Sequence, residues 1–222
     1  MLPYLSPTTI IAILIAVAVH EWAHGFAAYR LGDPTAKDLG RLTLNPVAHL
    51  DPIGTLLFLF VGFGWGKPVP VDPRYFRNYR RDGAITAFAG PLSNLILAFG
   101  SFALAKVIGI APEVLGASGV LLAPDNQPLI LNFMSELLGD MVLINLVLMA
   151  FNLLPVAPLD GSKVVQLWVP VRYDDMYEDY LQKGPWILLA LIVAGHAFHL
   201  PILSWWISII LTPMLSLMHS LL

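Results

Sequence analysis

The sequence of 222 residues contains no cysteine, which excludes disulfide bonds, thiolate metal ligands and cysteine nucleophiles. Charged residues make up only 12% of the chain, about half the share found in soluble domains. The formal net charge is −3 and no basic block occurs, so a nucleic-acid partner held by charge is excluded. A metal ion in this protein would therefore rely on histidine, aspartate and glutamate as its charged or imidazole ligands.

Hydrophobic residues account for 57% of the sequence, a share typical of polytopic membrane proteins. We predict an all-α polytopic membrane protein with about five to six transmembrane helices, organised as a single membrane-embedded domain over residues 1–222. The amino terminus lacks the positively charged region of a signal peptide, so we expect no cleaved leader.

Three segments are long and apolar enough to cross a bilayer, which takes about 20 residues. They cover residues 6–28, 84–110 and 131–154. Residues 186–222 predict either two closing helices that turn at residues 199–201, which we favour, or one long and one partial span. We expect the neutral stretch 111–128 on the outer side and the charged, aromatic stretch 161–183 on the cytoplasmic side.

The region between the first two spans predicts a small membrane-associated β-hairpin or re-entrant element. Residues 53–63 are apolar but too few to span, which favours a re-entrant or interfacial piece. Alternation over residues 41–44 predicts a short strand, and residues 67–73 predict an extended edge segment.

The densest positive cluster sets the expected orientation. Arg74, Arg77, Arg80 and Arg81 lie just before the second span, and positively charged residues mark cytoplasmic segments. The first and third spans then both end on the cytoplasmic side. Polar residues late in these two spans should therefore meet at the same depth.

The sequence His20-Glu21-Trp22-Ala23-His24 lies late in the first span. On a helix, two histidines four residues apart project from one face and can share a metal. This is the spacing of zinc proteases, in which the glutamate deprotonates a water molecule instead of binding the metal. Histidines that only hydrogen-bond neighbouring helices are the alternative, but the cost of burying three ionisable groups favours a metal site.

A catalytic zinc ion usually has three protein ligands, so two histidines leave the site incomplete. Asp160 is the best candidate for the third ligand, because Pro155 and Pro158 break the helix before it and free the backbone to turn. The alternative is that Asp160 only satisfies local amides in a turn at the membrane edge. The residues alone leave both interpretations open.

Asn152 precedes Asp160 by eight residues, and its amide could hold a substrate carbonyl or its oxyanion. It could equally bond a neighbouring helix, as Gly90, Ser93 and Asn94 could form a packing face of small residues. His196 and His199 could form a second metal pair, but without a nearby carboxylate a structural role is favoured.

Together these motifs resemble the site-2 protease family of intramembrane zinc metalloproteases, in a minimal form without PDZ or CBS domains. The resemblance covers about residues 16–162 and rests on three segments: His20 to His24, Ala89-Gly90-Pro91-Leu92-Ser93-Asn94, and Asn152 to Gly161. It implies that His20, His24 and Asp160 bind one catalytic Zn²⁺, that Glu21 is the catalytic acid and base, and that Asn152 assists at the substrate carbonyl. Many members have a second glycine where this chain has Ser162.

The resemblance also implies a function and partners. We expect hydrolysis of peptide bonds within or near transmembrane segments of membrane proteins, in regulated intramembrane proteolysis, with an active site towards the cytoplasmic side of the cell membrane. The expected partners are a transmembrane protein substrate and the lipid bilayer, and self-association stays open. Residues 41–44 or 69–71 could pair with an unwound substrate by strand addition. A membrane metal carrier is the alternative, although no repeated halves are seen.

Overall fold

The computed structural model describes residues 6–61, 64–109 and 128–221. Within these ranges the chain forms eight α-helices and short 3₁₀ turns, and it contains one isolated antiparallel bridge, between Leu50 and Gly66, but no strand. The helices are α1 (Pro7–Arg30), α2 (Thr35–Asp38), α3 (Pro52–Val61), α4 (Tyr79–Val107), α5 (Leu129–Asn152), α6 (Asp160–Val165), α7 (Asp174–Ala197) and α8 (Ile202–Ser220).

Four helices in the described part of the chain are long and apolar enough to cross a membrane, namely α1, α4, α5 and α8. The first three confirm the predicted spans. α4 begins five residues before its predicted start because Asn78 caps it: the Asn78 side chain accepts the Arg81 amide, and Asp82 accepts the Asn78 amide. Residue 110 and nearly all of the predicted outer stretch 111–128 lie outside the described residues.

The closing hairpin turns where it is predicted to turn, since α7 ends at Ala197 and α8 begins at Ile202. His199, in the turn, has a φ of 52°. The prediction of five to six transmembrane helices is not confirmed, because α7 is not among the four candidate spans. α7 begins at Asp174 and carries acidic residues in its first turns, so its apolar part provides only about 12 of the roughly 20 residues that a crossing requires.

The predicted β-hairpin is also not confirmed, because the backbone groups that strand pairing requires are bound by a side chain or are missing. Arg41 Nη2 donates to the carbonyl oxygens of Lys67, at 2.9 Å, and Pro68, at 3.3 Å, which a paired strand would otherwise use. Pro68 and Pro70 have no amide N–H to donate. A guanidinium group therefore takes the place of strand pairing at these two carbonyl oxygens.

Helices α1, α4 and α5 contact one another and form the centre of the protein. Their contacts are lined by small side chains, which let helices in a membrane approach closely. The fully buried members include Ala12, Ala16, Ala28, Ala98 and Ala150. Helix α8 packs on α5 through an apolar cluster that contains Leu146 and Met218. The close packing of α1 against α4 brings the histidines of α1 next to a second helix.

An extended segment, residues 66–72, follows one side of α1. Gly66 lies beside Val17, and Val69 lies beside Gly25. The fully buried Asp33 holds the far end of the segment, because its carboxylate accepts the Asp72 amide at 2.7 Å and the Thr35 amide at 2.9 Å. The segment is therefore anchored to the end of α1.

We expect Asp33→Ala to lower the free energy of unfolding by about 1–3 kcal/mol, because two partly buried amide N–H groups lose their buried acceptor. The midpoint of thermal unfolding, followed by tryptophan fluorescence of the detergent-solubilised protein, measures the effect. Asp38→Ala is the control, since Asp38 is exposed on the neighbouring helix. Equal midpoints for the two variants would contradict the anchoring role.

Candidate metal centre

The structure brings His20 and His24 of α1 together with Asp160 at the start of α6. One ligand atom from each residue lies within 4.8 Å of the others. The Nε2 atoms of the two histidines are 3.0 Å apart, and Asp160 Oδ2 is 3.2 Å from His20 Nε2 and 3.3 Å from His24 Nε2. Asp160 thus faces both histidines from another part of the chain instead of only closing a local turn.

The glycine after Asp160 explains how this carboxylate reaches the histidines. A Cβ atom on Gly161 would lie 2.5 Å from the carbonyl carbon of Leu153 and 2.6 Å from the carbonyl oxygen of Leu154. Only glycine allows the start of α6 to pack this tightly against the end of α5. The next residue, Ser162, is accommodated because its buried hydroxyl donates to the Leu159 carbonyl at 2.7 Å.

The hydrogen bonds behind the two imidazoles decide where their protons lie. His24 Nδ1 is 2.8 Å from the Thr86 carbonyl oxygen, which can only accept, so His24 Nδ1 carries the hydrogen. His20 Nδ1 is 2.6 Å from Asn94 Oδ1. The Asn94 amide nitrogen is already donating to Asn145 Oδ1 at 2.8 Å, so the Asn94 oxygen accepts from His20. Both Nε2 atoms are therefore left with a lone pair that points towards Asp160.

Three electron-pair donors at such short separations repel one another unless a positive charge lies between them. Tetrahedral zinc, with ligand distances of about 2.0–2.1 Å, places its ligand atoms about 3.3 Å apart, which matches the observed separations. Asp160 Oδ2 is buried and has no hydrogen-bond partner among the described residues, as expected for a metal ligand. The residues present therefore fit a zinc ion.

The electrostatics keep Asp160 in the form that binds a metal. Without a metal, protons on the Nε2 atoms can supply the positive charge: burial raises the pKa of the Asp160 carboxyl group, but the charge of a protonated His24 and hydrogen bonds from both protonated imidazoles hold the pKa below its ordinary value. Asp160 is therefore ionised at neutral pH, and a carboxylate is the form that ligates zinc.

Glu21 follows His20 and is held by the extended segment. Its Oε2 atom accepts the Val69 amide at 2.7 Å, and the Val69 side chain is buried against Gly25. A backbone amide has no rotamer freedom of its own, so this bond fixes the direction of the carboxylate. The segment that was predicted as an edge strand thus positions the glutamate of the motif.

Helix α4 forms the opposite wall of the centre at Gly90. A Cβ atom on Gly90 would lie 2.5 Å from His24 Cε1 and 2.7 Å from His20 Cε1. Any larger residue would push one or both imidazoles away from Asp160. The interpretation of Gly90 as part of a small-residue face is therefore incomplete, because the small residue also leaves room for the histidines.

The family model of peptidase family M50 matches residues 8–179. The chain belongs to this family, the site-2 protease family. Among curated proteins, YwhC of Bacillus subtilis, named as a candidate zinc metalloprotease, is 43% identical over 167 residues, which are 75% of this chain and 71% of that protein.

Two further relatives, named as candidate zinc metalloproteases Rip2, are each 30% identical to this M50 chain. The aligned part is 67% of the chain and 52% of the Mycolicibacterium smegmatis protein, and 69% of the chain and 54% of the Mycobacterium tuberculosis H37Rv protein. The chain thus spans about half the length of the Rip2 proteins. No solved structure gives a significant match.

Family membership and the names of the relatives make this M50 peptidase a zinc metalloprotease, with Zn²⁺ as its cofactor. Together with the four apolar helices, they also make it an integral membrane protein, whose family acts on membrane proteins in a lipid environment. Among the described residues, His20, His24 and Asp160 form the one cluster of histidine and carboxylate side chains that could hold a metal. The predicted second pair, His196 and His199, is not tested, because the side chain of His196 lies outside the described part of the structure.

Asn152 is the predicted site residue that the structure does not join to the others. Its side-chain amide donates to the Leu148 carbonyl of its own helix at 3.0 Å. The alternative for Asn152 was a bond to a neighbouring helix. Asn145, two turns earlier on α5, makes such a bond instead, since its side-chain oxygen accepts the Asn94 amide of α4. The sequence motifs did not single out Asn145. The available signal was an asparagine in an apolar run, on the same helix face as Asn152.

We expect Gly90→Ala to lower the zinc affinity and the proteolytic rate at least about 10-fold, because the added methyl group displaces the imidazoles. Zinc content after dialysis against a chelator, measured per protein molecule, reports the loss directly. Gly100→Ala is the matched control on α4, since its Cβ would meet nothing within 4 Å. Full zinc content in Gly90→Ala would show that the wall at Gly90 is not needed.

We expect Asn145→Leu to lower the zinc affinity by about 10-fold, because Asn94 then loses the nearer of the two acceptors, Asn145 at 2.8 Å and the Ala16 carbonyl at 3.3 Å, that keep its oxygen turned to His20. Competition for zinc with a chelator of known affinity gives the measurement. Asn132→Leu makes the same replacement earlier on α5 and should leave the affinity unchanged. A similar loss in both variants would place the effect in α5 as a whole instead of in the bond to Asn94.

Proposed function

We propose that the protein is an intramembrane zinc protease that hydrolyses peptide bonds within or near the transmembrane segments of membrane proteins, in regulated intramembrane proteolysis. The observation that carries the proposal is the metal centre on a helix long enough to cross the bilayer, with Glu21 held beside His20. Membership of family M50 supports the same reaction class. We treat residues 1–222 as one catalytic domain.

In this proposal, His20, His24 and Asp160 hold the zinc ion, which when bound supplies Lewis acidity to a scissile carbonyl and to water. Glu21 takes a proton from the attacking water and later delivers it to the leaving amine. The Val69 amide holds Oε2 of Glu21, so Oε1 is the oxygen we assign to proton transfer. This division keeps the carboxylate in place while it changes protonation state.

Asn152 keeps its proposed role at the substrate carbonyl. Its amide would exchange the Leu148 carbonyl for the substrate oxygen. Such an exchange is inexpensive, because a helical carbonyl retains the bond from its own helix. Asn152 would then stabilise the charge that develops on this oxygen during attack.

The depth of the centre supports access from the cytoplasmic side of the cell membrane. His24 lies six residues before Arg30, the last residue of α1, and hence about 9 Å from that end of the helix. Arg30 and Arg77 line one cavity, so the end of α1 lies on the same side as the arginine cluster. Because positively charged segments are cytoplasmic, we place the open side of the site towards the cytoplasm.

The substrate must change its structure to be cleaved. In an intact helix each carbonyl accepts a backbone hydrogen bond and is surrounded by side chains. We therefore propose that the transmembrane segment of a substrate protein unwinds locally at the centre, where its free backbone groups face polar residues instead of lipid. All three metal-binding side chains come from one chain, so the proposal does not require self-association.

Glu21→Gln tests the proposal. We expect it to lower cleavage of a transmembrane substrate by about 10²–10⁴-fold, the usual contribution of general acid and base catalysis, with the zinc content unchanged. Cleavage in reconstituted vesicles is followed by mass spectrometry of the products. Glu136→Gln, a matched change on α5, should cleave at the wild-type rate. Undiminished cleavage by Glu21→Gln would overturn the assignment and leave a metal carrier as the better candidate.

A further inference from the structure

The cavity that Arg30 and Arg77 line lies between the end of α1 and the start of α4, outside the metal centre. Its volume is about 380 Å³, and its lining includes Arg30, Arg77, Arg81, Tyr75 and Asp82. Arg30 is the last residue of α1, and Arg81 is the third residue of α4. Both helices are candidate membrane spans, so the cavity lies at the boundary between hydrocarbon and water.

The cavity carries uncompensated positive charge. Its one carboxylate, on the buried Asp82, already accepts Arg81 Nε at 2.9 Å and the Asn78 amide at 3.0 Å. Arg30 and Arg77 have no carboxylate partner among the described residues. An anion in this cavity would therefore meet two unpaired guanidinium groups, whose geometry suits phosphate oxygens.

The other two arginines of the cluster, outside the cavity, are each paired with a carboxylate. Arg74 pairs with Asp72, and Arg80 pairs with Asp174. The unpaired charges of this arginine-rich region thus converge on the cavity instead of being spread evenly over the surface. Positive charges that only keep the helix ends in the cytoplasm could lie anywhere on that surface, and they would not need to line one cavity.

An apolar path on α1 leads from the cavity into the hydrocarbon layer. Trp22 and Phe26 lie two turns and one turn before Arg30, and their rings stack at 4.9 Å with an angle of 14°. Phe26 is 38% exposed, and the Arg30 guanidinium lies 5.7 Å from the centre of its ring. Trp22 and Phe26 follow the metal-binding histidines by two residues, about 200° around the helix, so this path faces away from the metal centre.

We propose that this cavity binds the phosphate of an anionic phospholipid, with Arg30 and Arg77 holding the headgroup and an acyl chain lying along Phe26 and Trp22. Basic pockets between membrane helices are known to take anionic headgroups. The apolar path selects a lipid over free phosphate, because free phosphate would gain nothing from it. The bound lipid would link the end of α1 to the start of α4, the two helices that form the walls of the metal centre.

Native mass spectrometry of the full chain in detergent tests the proposal, with phosphatidylglycerol and phosphatidylcholine as competing probes. We expect the wild-type protein to prefer phosphatidylglycerol, and Arg30→Gln with Arg77→Gln to lower this preference about 25-fold, from about five-fold for each juxtamembrane charge. Both side chains are exposed and the Arg81 to Asp82 pair is kept, so the variant should fold. Arg172→Gln with Lys183→Gln removes the same charge elsewhere and should keep the preference.

The Phe26→Ala variant and inorganic phosphate separate the two sources of phosphate. We expect Phe26→Ala to weaken phosphatidylglycerol binding, and millimolar inorganic phosphate to displace little of the lipid. Full displacement by phosphate together with unchanged binding in Phe26→Ala would overturn the lipid proposal in favour of a free anion. An unchanged preference in the double arginine variant, or an equal loss in its control, would overturn the site itself.

Discussion

The repulsion among three converging electron pairs is the constraint on which the rest of this structure depends. His20 Nε2, His24 Nε2 and Asp160 Oδ2 lie 3.0–3.3 Å apart inside a protein with little charge elsewhere. In a medium of low polarity such an arrangement is stable only around a cation. The fold must therefore hold three strongly polar groups in place and also keep every competing partner away from them.

Each neighbouring element meets part of that requirement. The Thr86 carbonyl and the Asn94 oxygen take the Nδ1 hydrogens, which leaves the other ring nitrogens for a metal. Gly90 gives the rings room, and Gly161 lets the chain bring Asp160 against the end of α5. The result is a centre in which every ligand is oriented by neighbouring groups, and such support favours selective and tight metal binding.

Much of the site could be predicted because it depends on local chemistry. Helical spacing alone places His20 and His24 on one face, and the alternating direction of the spans predicts that Asp160 reaches their depth. The predicted strand at residues 41–44 does not form, and the alternation of the sequence cannot reveal the reason. The Arg41 side chain donates instead to the carbonyl oxygen of Lys67, 26 residues further along the chain. A membrane crossing by α7 is not confirmed, because its acidic first turns and its apolar end form one continuous helix.

The sequence by itself determined the membrane class, three of the spans and the metal-binding spacing, because each of these follows from hydrophobicity or from short-range helical geometry. Only the tertiary structure decided which groups stand behind the ligands. The roles of Asn145, Gly90 and the Val69 amide cannot be read from their residue types. These roles arise from packing between segments that are far apart along the chain. Such contacts depend on how α1, α4 and α5 approach one another, and no local pattern records that approach.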